Sequence, residues 1–214
     1  MIERAIAAST HGRYLVDVPA GGGPWPMLVG FHGYGEGAEE QLARLRSSAS
    51  ADRWLLVAVQ GLHRFYRGRA QDVVASWMTR QDREQAIADN LAYVGAVVDE
   101  VAREWEADGR VVFAGFSQGV AMAFRAAAAA NGDGVIALGG DVPPEIPRAA
   151  LAGIAAVLIA RGTSDGLYRG EMHDADVGRL REAGTVVEAF TFDAGHEWTD
   201  VFSRTASEFL TRWR

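Results

Sequence analysis

The chain has 214 residues, of which 49% are hydrophobic and 23% charged, and its formal net charge at pH 7 is −7. This composition is typical of a globular protein, and the acidic balance argues against binding to a nucleic-acid backbone, which depends on clustered cations. Cysteine and lysine are both absent, which excludes disulfides, thiolate nucleophiles, iron–sulfur clusters, a Walker-A lysine and a pyridoxal-phosphate lysine.

The length predicts a single domain over residues 1–214. No apolar run approaches the roughly 20 residues that a membrane-spanning helix needs, and the N-terminus lacks the continuous apolar segment of a signal peptide. We therefore expect a cytoplasmic protein without a nucleic-acid or membrane partner. The sequence does not predict the oligomeric state.

Seven short apolar runs rich in β-branched residues predict strands. They are 14–18, 27–31, 55–59, 111–115, 135–139, 156–160 and 186–190. Most of them lack polar alternation, as strands covered on both faces do. Helical patterns separate the runs. They are 82–105, the Ala-rich stretch after Ser117, about 171–183 and about 197–213. This order predicts an α/β fold, a three-layer α/β/α sandwich around a mainly parallel sheet.

Two local features belong to this expected framework. Asp82 and Gln85 have the spacing of a capping box at the start of the long helix. The run GGG at 21–23 predicts a hairpin or loop between early strands.

The stretch FHGYGEGAEE follows the second apolar run and allows two interpretations. Its spacing of Gly33, Gly35 and Ala38 approximates a dinucleotide-binding fingerprint. Alternatively, it is a His-Gly loop whose backbone amide stabilises an oxyanion. The first interpretation predicts a cofactor and the second a covalent intermediate.

The run 111–115 leads directly into FSQGVAMAF, which gives the pattern G-x-S-x-G around Ser117. A strand, a sharp turn and a helix are the context in which this pattern forms a nucleophile elbow. Flanking glycines let the strand and the helix approach each other. A purely structural strand-to-helix turn remains the alternative on the motif alone.

A serine nucleophile needs a base and an acid that orients the base. His196, in the loop DAGHEW after the last predicted strand, is the histidine whose position fits. Asp165 follows the run 156–160 and is the preferred acid, with Asp141 one strand earlier as the fallback. Asp193 is too close to His196 in sequence and is interpreted as a loop residue. The resulting order of serine, acid and histidine is that of the α/β-hydrolase fold.

The remaining candidate for chemistry is the segment GEMHDADVGR, where His173 lies beside Asp174 and Asp176. These residue types allow a metal cluster, but a solvated helix end is the far commoner explanation and is the preferred interpretation. The sequence therefore predicts no metal site.

The nucleotide interpretation of the first loop requires an acidic residue at the end of the next strand, and that strand ends in Gln60-Gly61. The oxyanion interpretation instead supplies what Ser117 needs. The expected donors are the backbone amides of Tyr34 and Gln118, and we expect His32 to brace the loop.

With these motifs together, the sequence resembles the phospholipase/carboxylesterase family of small α/β-hydrolases. HGYGEG is similar to its glycine loop, GFSQG to its elbow, GTSD to its acid loop and GHEW to its histidine loop, and SWM to a tryptophan-containing segment before its long helix. The resemblance runs from about residue 27 to the C-terminus. It implies hydrolysis of esters or thioesters without a metal or organic cofactor, on an α/β-hydrolase fold without a large cap.

The resemblance also implies a substrate site in the stretch 62–80. There Phe65, Tyr66, Trp77 and Met78 are candidates for an apolar pocket. Arg64, Arg67 and Arg69 either meet an anionic group or belong to a solvated basic loop. The predicted function is a serine carboxylesterase, lysophospholipase or thioesterase acting on small to medium acyl chains. A ligand-binding protein on the same fold is the alternative.

Overall fold

The computed structural model of the protein describes residues 1–2, 4–49 and 53–213. Its strands are β1 (Arg13–Asp17), β2 (Trp25–Phe31), β3 (Leu55–Gln60), β4 (His63–Arg67), β5 (Asp72–Ser76), β6 (Ala107–Phe116), β7 (Gly134–Leu138), β8 (Ala156–Gly162) and β9 (Val186–Phe192). Its helices are α1 (Ala38–Ser48), α2 (Arg83–Glu104), α3 (Gln118–Ala130), α4 (Arg148–Ala152), α5 (Gly170–Ala183) and α6 (Asp200–Leu210), with a short 3₁₀ helix at Thr211–Trp213.

Within the described residues, seven strands form one sheet in the order β1-β3-β2-β6-β7-β8-β9. β1 runs antiparallel to β3, and every other neighbouring pair in this sheet is parallel. All residues of β3 and β7 are buried, which explains why their sequences are almost entirely apolar, with Gln60 at the end of β3 as the exception. The mainly parallel sheet predicted from the seven apolar runs is confirmed.

Helices cover both faces of the sheet, because alternate residues of a strand point to opposite sides. Val29 and Phe31 of β2 belong to the core that packs against α2, α3, α4 and α5. Leu28, between them in β2, belongs to the second core, against α1 and α6. The predicted three-layer sandwich is therefore confirmed.

Parallel strands present their carboxyl ends at one edge, where α/β proteins place their sites. The loops after β2, β6, β8 and β9 meet there. They contain, in chain order, Tyr34, Ser117, Asp165 and His196.

One local prediction is wrong, and one hairpin was missed. Asp82 has a left-handed backbone (φ 48°) and makes no capping hydrogen bond through its side chain, so the proposed capping box is wrong. Residues 21–23 form a loop between β1 and β2, one of the two structures predicted for them, and β1 pairs with β3. The antiparallel hairpin of β4 and β5 was not predicted. Among the helices of the described residues, none is both long and apolar enough to cross a bilayer.

Candidate active site

Ser117 lies in the sharp turn between β6 and α3, with φ 52° and ψ −120°. A non-glycine residue pays of order 1–3 kcal/mol for such a backbone conformation. The flanking glycines make the turn sterically accessible. A Cβ on Gly119 would lie 2.1 Å from the carbonyl oxygen of Phe31, and one on Gly115 would lie 2.5 Å from the carbonyl oxygen of Gly119. The structure therefore places Ser117 on the strand–turn–helix that the G-x-S-x-G pattern indicates.

The structure brings Ser117, His196 and Asp165 together in a single hydrogen-bonded chain. The Nε2 atom of His196 is 2.8 Å from Ser117 Oγ, and its Nδ1 atom is 2.8 Å from Asp165 Oδ2. An ionised carboxylate only accepts hydrogen bonds, so the proton of a neutral imidazole lies on Nδ1. Nε2 is then free to accept the serine proton.

Asp165 is held in place by its own loop. Its Oδ1 atom accepts the amides of Leu167 at 2.8 Å and Tyr168 at 2.9 Å. Burial on its own raises the pKa of the Asp165 carboxyl, but hydrogen bonds from the Tyr168 amide, His196 and the Leu167 amide outweigh it, and the pKa lies below the ordinary value. The carboxylate is thus ionised at neutral pH.

The fallback acid does not contact the histidine in this structure. Asp141 is exposed in the loop after β7. Asp193 accepts a long hydrogen bond of 3.5 Å from Thr163 Oγ1, as a loop residue does. Of the three aspartates considered, the histidine is oriented by Asp165.

Residues 33–36, in the loop after β2, are called the oxyanion loop below. Three of its amides have partners: Gly33 donates to Glu36 Oε2 at 2.7 Å, Gly35 to the Ala75 carbonyl at 3.0 Å and Glu36 to the Gly33 carbonyl at 3.4 Å. Among the hydrogen bonds of the described residues, none uses the amide of Tyr34. This amide is available to a ligand.

Gln118 fixes the other expected donor. Its side-chain Oε1 accepts the Trp77 amide at 2.9 Å, and its Nε2 donates to the Met78 carbonyl at 3.1 Å. Its own amide is the first of α3, and a helix has no internal partner for that group. The side-chain contacts were not predicted, because they join segments about 40 residues apart.

His32 and Trp77 support the oxyanion loop from below. His32 Nδ1 donates to the Gly33 carbonyl at 2.7 Å and Nε2 accepts the Gly61 amide at 3.0 Å, an arrangement that requires the neutral ring. Burial lowers the pKa of His32, which also favours the neutral ring. Trp77 Nε1 donates to the His32 carbonyl at 2.8 Å.

The structure corrects part of the pocket prediction. Trp77 is fully buried and packs edge-on against Phe31, so it belongs to the core and not to a pocket wall. Met78 is also buried, at 6% exposure. Tyr66 is 70% exposed, on the opposite face of the hairpin from Phe65. Phe65 alone lies beside the oxyanion loop, with its ring centroid 5.4 Å from that of Tyr34.

Two of the three arginines of this segment, Arg64 and Arg67, have structural partners. Arg67 donates from Nη1 to the Gly35 carbonyl in the oxyanion loop. Arg64 donates from Nη2 to the His11 carbonyl at 3.0 Å. The basic loop therefore contributes, through Arg67, to holding the oxyanion loop.

The residues of the alternative metal cluster do not converge on one point: His173 Nδ1 lies 3.3 Å from Asp174 Oδ1, but Asp176 bonds elsewhere. The solvated helix end preferred from the sequence is wrong for His173, which is only 5% exposed. His173 is buried with Nε2 3.3 Å from the Ile159 carbonyl, and Asp176 accepts the Tyr168 hydroxyl at 2.8 Å. In the part of the chain that the structure describes, no group of histidine and carboxylate side chains has an arrangement that would hold a metal ion.

Comparison with known proteins places this geometry in context. The sequence model of the phospholipase/carboxylesterase family matches residues 24–214. A search of curated proteins finds no match. Similar solved structures include a carboxylesterase from Mesorhizobium loti (24% identity, TM-score 0.76, 94% of each chain covered). The carboxylesterase of Bacillus cereus (18%, 0.71, 94% of each chain) is also similar. So is the esterase PE8 (21%, 0.69, 94% of this chain and 97% of that one). At these identities the likeness establishes the α/β-hydrolase fold.

Proposed function

The chain belongs to the phospholipase/carboxylesterase family, and on that premise we propose that it is a serine esterase that cleaves carboxylic esters or thioesters through an acyl-enzyme on Ser117. The observation that carries the proposal is the pair of 2.8 Å contacts from His196 to Ser117 and Asp165. This arrangement makes a serine hydroxyl nucleophilic at neutral pH.

In the first half of the reaction, His196 Nε2 takes the hydroxyl proton of Ser117 while Oγ bonds to the carbonyl carbon. Negative charge moves to the carbonyl oxygen, where the amides of Tyr34 and Gln118 stabilise it. The C–O or C–S bond then breaks. His196 returns the proton to the departing alcohol or thiol, and the acyl group stays on Ser117.

In the second half, water takes the place of the serine hydroxyl. His196 accepts a proton from the water, which attacks the acyl carbon, and the imidazolium protonates Ser117 as the acid leaves. Asp165 keeps the Nδ1 proton in place and stabilises the imidazolium, consistent with its depressed pKa. Activity therefore falls in acid, where a protonated imidazole cannot act as a base.

The direct test is intact-mass spectrometry after incubation with a fluorophosphonate. We expect one adduct, mapped to Ser117 and absent from Ser117→Ala. Ser164→Ala is the matched control, because Ser164 is an exposed serine in the acid loop, and it should label like the wild type. A folded wild-type protein without an adduct would contradict the proposal and favour a ligand-binding protein on this fold.

For the substrate, we propose acyl chains of small to medium length. The exposed Tyr34 and the neighbouring Phe65 form an apolar aromatic pair next to the oxyanion loop, which suits a short hydrocarbon chain. A series of p-nitrophenyl esters from acetate to palmitate should give the highest kcat/KM at short to medium length. Phe65→Ala should shift that preference. Val73→Ala, an exposed apolar position on the other face of the hairpin, should leave it unchanged.

A further inference from the structure

An ion pair joins the oxyanion loop to α1. The carboxylate of Glu36 accepts hydrogen bonds from both terminal nitrogens of Arg44, from Nη1 to Oε2 at 2.6 Å and from Nη2 to Oε1 at 2.7 Å. The two side chains are only 17% and 18% exposed. Burial on its own raises the pKa of Glu36, but the hydrogen bonds and charge of Arg44 outweigh it and hold the pKa below the ordinary value. The pair is therefore ionised, bidentate and largely shielded from water, which makes it stronger than a surface ion pair.

The same carboxylate takes hold of the loop backbone. Glu36 Oε2 accepts the Gly33 amide at 2.7 Å, so this amide already has a partner within the protein. Gly35, with φ 71°, donates in turn to Ala75. The amides of Gly33 and Gly35 therefore both have acceptors. Among the described residues, the Tyr34 amide between them has none.

From these contacts we infer that Glu36, clamped by Arg44, is a positioning residue that aims the Tyr34 amide at the oxyanion. The inference rests on the proposed function and adds to it a group that never touches the substrate. Sequence reasoning did not assign a role to either residue.

Arg44 also reaches the other parts of the site. Its guanidinium lies over the ring of Phe116, 4.3 Å from the centroid, and that ring lies 5.0 Å from the ring of His196. Arg44 therefore contacts the residue before the nucleophile as well as the oxyanion loop. The positive charge of Arg44 also offsets the negative charge of Glu36. Without Arg44, the Glu36 carboxylate would repel the negative charge that develops on the substrate oxygen.

The test compares substrate turnover with the binding of a trifluoromethyl ketone, whose hemiketal with the serine imitates the tetrahedral intermediate. For Glu36→Gln we expect kcat to fall about tenfold to a hundredfold, somewhat less than for loss of an entire oxyanion donor. KM should stay within about twofold, and the ketone should bind more weakly by the same factor as kcat/KM.

The matched control is Glu40→Gln. Glu40 accepts the Gly37 amide at 3.0 Å at the start of α1, so it makes the same kind of carboxylate–amide contact one turn away. A purely structural role for Glu36 predicts that both variants lower the unfolding midpoint and leave kcat and ketone binding unchanged. That outcome would overturn the inference.

Charge balance supplies a second readout. Arg44→Met leaves the Glu36 carboxylate without its cation, so this variant should lose more activity than the double variant Glu36→Gln/Arg44→Met. If Arg44→Met does not fold, Arg44→Lys keeps the charge without the bidentate geometry and should lose less. Equal losses in the single and double variants would contradict the charge argument.

The two proposals fail in different ways. A wild-type protein that neither labels nor hydrolyses an activated ester would contradict the proposed function itself. A wild type that does both, while Glu36→Gln behaves like Glu40→Gln, would contradict only the positioning role.

Discussion

Asp165→Asn isolates the role of a single hydrogen bond in the triad. The Oδ1 contacts to the Leu167 and Tyr168 amides, at 2.8 and 2.9 Å, persist, because an asparagine oxygen accepts both. The other terminus becomes an NH₂ group 2.8 Å from His196 Nδ1. A donor at that position selects the imidazole tautomer whose proton lies on Nε2, and Nε2 can then no longer accept the serine proton.

The expected loss follows from that tautomer change. We expect kcat to fall about 10⁴-fold, equivalent to about 5 kcal/mol, which is the size seen when the orienting acid of a serine triad becomes an amide. The unfolding midpoint should change little, since the loop keeps its amide contacts. The assay is hydrolysis of p-nitrophenyl acetate at neutral pH, together with the rate of fluorophosphonate labelling, which should fall in parallel.

Two controls make the assignment of the acid decisive. Asp141→Asn and Asp193→Asn alter aspartates that do not contact His196 and should retain wild-type kcat. An Asp165→Asn variant within about tenfold of wild type would refute the tautomer argument. So would an Asp141→Asn variant with the larger loss, because it would transfer the orienting role to the loop after β7.

Three further outcomes follow from packing and burial. Gly119→Ala places a Cβ 2.1 Å from a carbonyl oxygen of β2 and should lower both the unfolding midpoint and the rate of fluorophosphonate labelling. The control is Gly95→Ala in α2, where the added Cβ has open space around it. This variant should stabilise the protein by about 1 kcal/mol. Burial lowers the pKa of His32, so below about pH 6.5 the unfolded chain binds more protons than the folded one. The free energy of unfolding, measured by urea denaturation, should therefore decrease as the pH is lowered below about 6.5, by up to about 1.4 kcal/mol per pH unit. His32→Gln should remove this pH dependence. Gln41 is buried, and among the described residues its Nε2 has no hydrogen-bond partner. Gln41→Leu should therefore raise the free energy of unfolding or leave it unchanged in urea denaturation. Asn90→Leu removes hydrogen bonds to Leu62, Trp77 and Ala86 and should lower that free energy by about 1–3 kcal/mol.

The sheet was predictable because a strand that is buried on both faces has a short run of apolar residues, which can be recognised within the strand's own sequence. Every residue of β3 is buried, and a continuous run of apolar residues is the direct consequence. The hairpin was not predictable by the same criterion. Four of the five residues of β4 are exposed, and β5 is held by a bridge between Ala75 and Glu36, a long-range contact with no periodic signal.

The pocket prediction failed at Trp77 for a related reason. The family resemblance implied a substrate site in the stretch 62–80, but the direction of a side chain within it depends on the residues that pack against it. Here the carbonyl of His32, the residue before the oxyanion loop, accepts the indole N–H, and a buried tryptophan needs such a partner. Sequence alone does not reveal a backbone acceptor 45 residues away.

The chain order of the triad residues was predictable for a topological reason. β6, β7, β8 and β9 are consecutive both in sequence and across the sheet, so loops that follow them arrive at one edge in chain order. The oxyanion loop follows β2, which pairs with β6, and this places it beside the nucleophile. Its amides, however, are directed by Glu36, Ala75 and the ring of His32, contacts that depend on the folded loop. The residues proposed to perform the chemistry can thus be located from strand order, while the residues proposed to aim the oxyanion donor emerge only from the three-dimensional hydrogen bonding.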